Sequence, residues 1–300
     1  MKILVTGGHG QLGHALKKVL ASEEAQFTDS DDMDITDPAK IEEAFLSFKP
    51  DWLFHGAAYT NVDGCEEHPE LAEKVNATGT KNLAEACKKH GVKMIYISTD
   101  YVFDGSATAP IPENATTGPL SVYGKTKLAG ELATRDIADG YVLRTSWVYG
   151  DGNNFVKTML VLSEKMDEIK VVSDQLGRPT YAEDLARAMY EVALSFPRHS
   201  SEGWNPASHL SIPVRPGIYN VTGDGDIISW ADFAREVFKI AGKATKVIDI
   251  TTGEYLSDKQ DRKIASRPMY SALDLTKIKS EGIRLAQWQD SLRNYITKGI

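Results

Sequence analysis

Cysteine is almost missing from this 300-residue chain. Cys65 and Cys87 are its only two, too few for a disulfide framework and in no C-x-x-C pair, which predicts two free thiols. Long apolar runs are missing as well. No stretch nears the roughly 18 residues that a membrane span requires, and no basic leader with an apolar stretch and cleavage site opens the sequence, so a cytoplasmic protein is expected. Positive charge is in deficit: 34 Lys and Arg against 42 Asp and Glu leave a net charge of -8. With no dense basic run to track phosphates, nucleic acid is not an expected partner. The seven histidines are scattered; His9 and His14 are close, but neither has metal-ligand spacing to carboxylates, so no metal site is expected. What is present, 42% hydrophobic residues, suffices for a sizeable core in one large domain or a domain with an appended lobe.

Short apolar runs at Lys2–Thr6, Asp51–Phe54, Lys93–Ile97 and Tyr141–Leu143 alternate with stretches of helical period, of which "NATGTKNLAEACKKHG" (76–91) is the clearest. Alternation of this kind builds parallel βαβ units. Near-continuous apolar strands such as "KMIYIS" are what a parallel sheet covered by helices on both faces requires. The predicted fold is α/β: a doubly wound, Rossmann-type parallel sheet over residues 1–150. A smaller substrate-binding lobe is expected over 151–300, with some of its segments returning to the first domain. Helices are expected near Ala182–Ser195, Ser229–Ala241 and Gln287–Thr297, and a strand near Gly217–Val221. The Pro/Ser-rich stretch from Phe196 to Gly217, around Trp204, reads as an exposed insertion.

Chemistry concentrates where strands end. In "TGGHGQLGHAL" a strand closes at Thr6, and Gly7, Gly10 and Gly13 follow at three-residue spacing before a helical run. Glycines there let backbone N–H groups approach a pyrophosphate at a helix N-terminus; a turn serving packing alone is the plainer reading. Asp29, after the second strand "AQFT", is placed to accept hydrogen bonds from ribose hydroxyls. No Lys or Arg lies between Lys18 and Lys40 to receive a 2′-phosphate, which leans the choice of cofactor toward NADH over NADPH. "GAAYTNVD" (56–63) puts small residues after the third strand, either for close approach of a cofactor or for a tight strand exit. In "ISTDYVFDG" (97–105), Thr99 offers a hydroxyl at the sheet's edge or a turn cap. "SVYGKTKLAGE" (121–131) sets Tyr123 four residues before Lys127, on one helix face.

Taken in order, "GQLG", "AAYTNVD", "STDYVFDG", "YGKTKLAGE", "LRTSWVYG", "VVSDQLGRPTYAEDLA" and "RPMYSALD" resemble the dTDP-4-dehydrorhamnose reductase family of the extended short-chain dehydrogenase/reductase superfamily. The resemblance covers nearly the whole chain. It implies NADH- or NADPH-dependent reduction of a nucleotide-linked 4-keto sugar in a homodimer, with Thr99, Tyr123 and Lys127 as the catalytic triad. Cofactor contacts are implied at Gly7, Gly10, Gln11, Leu12 and Gly13, at Asp29, Asp34 and Ile35, and at Ala57, Ala58 and Tyr59, besides Tyr123 and Lys127. Substrate contacts are implied at Asp100, Tyr101, Trp147, Gln175, Thr180 and Arg267. Core packing is the alternative for Trp147, and a solvated surface position for Arg267. Asn76 either contacts the cofactor region or caps a helix. Two departures stand out. His55 and Gly56 replace the Asn and Ala usual before "AAYT", and Ala15 stands where some relatives carry a Mg²⁺-binding glutamate, which makes a Mg²⁺ requirement doubtful.

The proposed triad agrees with the chemistry of ketone reduction. Hydride addition leaves an alkoxide that must gain a proton, and Tyr123 is the donor at hand. A phenol of pKa about 10 would be made more acidic by an ammonium within reach, and Lys127 is the expected source. Besides reduction of a different nucleotide-linked keto sugar in the same fold, two other functions share these motifs. A nucleotide-sugar epimerase or dehydratase would keep Tyr, Lys and Thr, although the dehydratases follow that threonine with Asp-Glu, whereas Asp100 is followed by Tyr101. A non-catalytic module like the regulatory subunit of methionine adenosyltransferase would act by association.

Overall fold

The computed structural model describes residues 1–196, 213–257 and 263–299. The insertion expected around Trp204 lies outside the described residues. Strands β1 (Lys2–Thr6), β2 (Glu24–Thr28), β3 (Trp52–His55), β4 (Lys93–Thr99) and β5 (Gly140–Thr145) are separated by helices α1 (Gln11–Val19), α2 (Pro38–Phe48), α3 (Val62–Glu67), α4 (Pro69–Ala72), α5 (Thr80–His90) and α6 (Val122–Arg135). Then follow β6 (Val148–Tyr149), α7 (Phe155–Ser163), β7 (Glu168–Val172), β8 (Leu176–Gly177), β9 (Thr180–Tyr181) and α8 (Ala182–Leu194). Past the undescribed stretch come β10 (Gly217–Asn220), β11 (Ile228–Ser229), α9 (Trp230–Ile240), β12 (Lys246–Ile250), α10 (Thr252–Ser257), α11 (Thr276–Ser280) and α12 (Trp288–Thr297).

The main sheet has the order β10-β5-β4-β3-β1-β2, every pair parallel. β1, β3, β4 and β5 are buried along most of their length because both faces are covered, while the edge strand β2 exposes Glu24 and Gln26. One face packs against α1 and α8 through Leu16, Phe54, Leu143 and Met189, the other against α2 and α5 through Phe45, Leu53, Leu83 and Tyr96. From β1 the chain first builds outward to β2 and then crosses to β3 on the opposite side. The strand ends therefore part between β1 and β3, the crevice in which open α/β sheets bind ligands.

Helix starts follow from their caps. Asp37 accepts from Ala39 N ahead of Pro38, Ser121 accepts from Gly124 N at the head of α6, and Ser229 with Asp232 forms a capping box on α9. The second cluster of structure gathers Tyr149, Phe233, Trp288 and Tyr295 into its own core beside a parallel pair, β7 with β12. Neither β7 nor β12 was signalled by the strand pattern, since β7 alternates over only five residues and β12 buries none of its five. β10, although late in the chain, completes the main sheet beside β5.

Candidate active site

A cleft of about 690 Å³ opens over the carboxyl ends of β1 to β5. Its floor is the glycine turn. Gly7 has φ +77°, and a Cβ there would lie 2.8 Å from Ala57 N, so the loops after β1 and β3 touch only because side chains are missing. Gly10, the N-cap of α1, offers no side chain to the helix amides, which leaves them for an anion. Gln11, Leu12 and Gly10 line the cleft, and the buried Oε1 of Gln11 has no partner. Gly13 does not reach it. A Cβ at Gly13 would lie 2.3 Å from Gly7 O, so this glycine lets α1 pack under the turn, and its expected cofactor contact is corrected to a packing role.

Beyond β2, Asp29, Asp34 and Ile35 form the outer rim. Asp29 Oδ2 accepts from His9 N at 2.8 Å, which ties the glycine turn to the rim. Asp34 accepts from Thr36 N and its hydroxyl, and these bonds hold its carboxyl below the usual range. Ala57, Ala58 and Tyr59 form the wall after β3. Asn76 fixes that wall. Its side chain accepts from Tyr59 N at 2.7 Å and donates to Tyr59 O and the Thr126 hydroxyl. It neither caps a helix nor opens one, because it is fully buried within a π-helical stretch, Glu73–Gly79, that runs unbroken from α4 into α5.

Opposite stand Thr99, Asp100 and Tyr101 from the end of β4, and Tyr123 and Lys127 from α6. Thr99 Oγ1 accepts from Tyr101 N at 3.2 Å and donates to Asp100 Oδ1 at 3.0 Å, so it is a turn cap and a cleft residue at once. Tyr123 lines the same wall beside it. Tyr101 stacks edge-on against Tyr123, their centroids 5.5 Å apart.

Lys127 does not act on Tyr123 as expected. Its Nζ donates to Ile97 O at 2.6 Å and sits 4.2 Å over the Tyr96 ring. The phenol is pushed up, not down, by burial first and then by Asp100 and Tyr101. Placing a phenolate in this pocket beside a carboxylate costs more than the lysine returns. Burial also brings Lys127 down to about 7, against the pull of Glu131. At neutral pH the phenol therefore keeps its proton.

Trp147 lines the cleft with φ 50° and stacks on Trp230, centroids 3.8 Å apart and planes 15° from parallel. One face packs on Trp230, as the core-packing alternative requires, and the residue also forms cleft wall. Trp230 was missed in the sequence. Its only signal is an aromatic at the first position of a capped helix. Three expected substrate contacts stand off the cleft wall. Gln175 is buried and donates to the Thr252 hydroxyl. Thr180 is buried against the Thr145 hydroxyl. Arg267 pairs with Asp63 at 2.9 Å behind the wall, where its charge acts on the Tyr101 phenol. Among the described residues no group of three or more His, Cys, Asp or Glu is arranged to hold a metal, and no helix is long and apolar enough to cross a membrane.

Residues 1–299 match the family model described as the RmlD substrate binding domain. The chain is 38% identical over 306 residues to a dTDP-4-dehydrorhamnose reductase of Aggregatibacter actinomycetemcomitans, spanning 98% of this chain and 97% of that one. A solved dTDP-4-dehydrorhamnose reductase from Clostridium acetobutylicum is 41% identical and superposes with a TM-score of 0.88, covering 99% of each chain. The Bacillus anthracis enzyme of the same name, solved in complex with NADP, is 32% identical with a TM-score of 0.86, covering 100% of this chain and 99% of its own.

Proposed function

The chain belongs to the dTDP-4-dehydrorhamnose reductase family, and from that premise we propose that it reduces the C4 ketone of dTDP-4-dehydro-L-rhamnose to give dTDP-L-rhamnose. The observation that carries this reading is that Tyr123, from α6, and Thr99, from the end of β4, stand together on the wall of a cleft floored by a glycine turn. The open turn at Gly7, the uncapped start of α1 and the unpartnered Gln11 Oε1 fit a dinucleotide. Bound there, reduced nicotinamide supplies the hydride. Tyr123 gives its proton to the forming alcohol and Thr99 polarises the same oxygen, while Lys127 stays on Ile97 O. Tyr101 and Trp147 hold the sugar nucleotide against the wall, and Arg267 positions Tyr101.

The rim sets the cofactor preference. Asp29, Asp31, Asp32 and Asp34 line the bend after β2, and Lys127 is the one Lys or Arg among the described residues of the cleft wall. A 2′-phosphate at that bend would meet carboxylates, so NADH is favoured over NADPH. The same reading takes the protein as a cytoplasmic homodimer.

The test is loss of reduced-nicotinamide absorbance on adding dTDP-4-dehydro-L-rhamnose. Tyr123→Phe should lower kcat by about 10²- to 10⁴-fold while cofactor affinity stays within about threefold. Wild-type protein that holds oxidised cofactor and consumes none would overturn the reductase reading, and an unimpaired Tyr123→Phe would overturn the role of the phenol.

A further inference from the structure

Among the described residues, Lys49 and Trp147 are the two other than glycine with positive φ. Lys49 closes α2 in that conformation, an ordinary helix stop, whereas Trp147 stands on the cleft wall. A bulky side chain in the left-handed region is strained and persists only where its surroundings over-determine it. Here they do so on both sides. Ser146 Oγ donates to Arg178 O at 3.0 Å, Trp147 O accepts from Thr180 N at 3.2 Å, and β6 pairs with β9 from Val148 onward. The backbone is thereby bent at one residue, and its indole lies against Gly177 and Trp230. A Cβ on Gly177 would stand 2.8 Å from Trp147 Cε2, so the ring occupies the place where a larger residue would put its side chain. Trp230 lies face to face with the same ring, centroids 3.8 Å apart.

Trp230 is the fixed member of this pair. It is the first residue of α9, whose start is set by the capping box of Ser229 and Asp232. Just ahead of it β11 pairs with β8, which places Ile228 opposite Gly177. The Trp230 ring is also backed by Phe155, centroids 4.6 Å apart, and by Phe233 of the second core at 6.2 Å. The two supports of the Trp147 indole therefore come from one antiparallel pair and the residue that follows it. Both indoles line the cleft beyond Thr145 and Ser146, past β5, whereas the rim from Asp29 to Asp34 lies after β2 at the far edge of the sheet.

Resting on the reduction proposed above, in which Trp147 holds the sugar nucleotide, we infer that Trp230 is a positioning residue for that substrate. It fixes the Trp147 indole in its left-handed setting, and Gly177 is bare so that the ring fits. A ring already held by packing gives up little freedom when a ligand arrives, so the stiffness of this wall enters the affinity. The effect belongs to binding of the sugar nucleotide alone, because the glycine turn and the rim that would take the dinucleotide stand at the other end of the cleft.

The experiment measures kcat and KM for dTDP-4-dehydro-L-rhamnose, and calorimetric Kd for dTDP-L-rhamnose and for NADH, in wild type, Trp230→Ala, Trp230→Phe, Trp147→Ala and the double alanine variant. Trp230→Ala should raise KM and the dTDP-L-rhamnose Kd about ten- to a hundredfold, with kcat and the NADH Kd within about threefold of wild type. Trp230→Phe, which keeps a flat ring, should recover most of that loss. Because Trp230 acts through Trp147, removing it from Trp147→Ala should change the dTDP-L-rhamnose Kd by less than about twofold. An unchanged KM, or equal losses for the sugar nucleotide and NADH, would overturn the proposal. So would a loss that persists undiminished in Trp147→Ala, which would make Trp230 a direct contact. Where Trp230→Ala does not fold, Gly177→Ala carries the test: its methyl displaces the indole with every aromatic kept and should raise KM over the same range, and an unchanged KM there overturns the proposal equally. Wild type that binds dTDP-L-rhamnose and shows this pattern of Kd values but reduces nothing would defeat the assigned reaction and leave the role of Trp230 standing. Wild type that does not bind dTDP-L-rhamnose would defeat both.

Discussion

His55 has no exposed surface and lies between two hydroxyls, Nδ1 2.7 Å from Thr6 and Nε2 2.9 Å from Thr80. Its tautomer follows from the neighbours. The Thr80 hydrogen goes to Asn76 O, so Nε2 must carry the ring proton, and Nδ1 accepts from Thr6, which in turn accepts from Ala57 N. One imidazole therefore joins the cofactor wall after β3 to the buried amide that holds Tyr59. A second proton would break this order, and burial, with Lys127 adding to it, brings His55 down to about 3. The sign is that of a depressed base: the stabilisation is full above about 6.5 and is lost as pH falls toward 3, by about 1.4 kcal/mol per unit. His55→Asn, the residue usual in the family, removes that titration. Its loss of stability in urea between about pH 7 and about pH 5 should be about 2 kcal/mol smaller than in wild type. Equal losses would mean that the imidazole is not shut off from protons.

At the scale of elements, α6 carries the phenol and the lysine, and its grip on the sheet decides where they point. Ser121 caps it, Glu66 of α3 accepts from Val122 N at 2.7 Å, and Glu131, one turn beyond Lys127, accepts two bonds from Arg144 of β5 and one from Ser98 of β4. This ion pair is buried, with side-chain exposures of 2% and 1%. Glu131→Gln leaves the Arg144 guanidinium without its counter-charge and should cost about 3–5 kcal/mol in chemical denaturation, nearly independent of salt. A loss under about 1 kcal/mol, shrinking with salt, would be the behaviour of a surface pair instead.

The same elements mark how far the sequence could be read. β1, β3, β4 and β5 were legible because buried parallel strands read as near-continuous apolar runs, and Tyr123 with Lys127 because a spacing of four is a helix face. The direction in which Lys127 acts was not. It depends on Ile97 O and Tyr96, which lie thirty residues away in sequence and are brought close only by the sheet. For the same reason β10 gave no hint of its place beside β5, and nothing in their own stretch shows that Gln175 and Thr180 face inward. Asn76 looked like a cap because a π-helical stretch has no pattern that sets it apart from an α-helix beginning.

At the scale of the whole molecule, a net charge of -8 is spread over 300 residues, but the cleft concentrates part of it on one rim. Asp31 and Asp32 are exposed there, and Asp29 and Asp34 are partly so. Binding stabilises the fold in proportion to the logarithm of saturation, so melting temperature reads affinity directly. If the rim disfavours a 2′-phosphate tenfold, the difference is about 1.4 kcal/mol, or about 2 °C in a chain of 300 residues. At equal concentrations NADH should raise the melting temperature by that much more than NADPH. Because the carboxylates face solvent, the gap should narrow as salt shortens the range of their field. An equal or larger shift with NADPH at low salt would mean that the rim turns away from the adenosine ribose and that its charge plays no part in the choice.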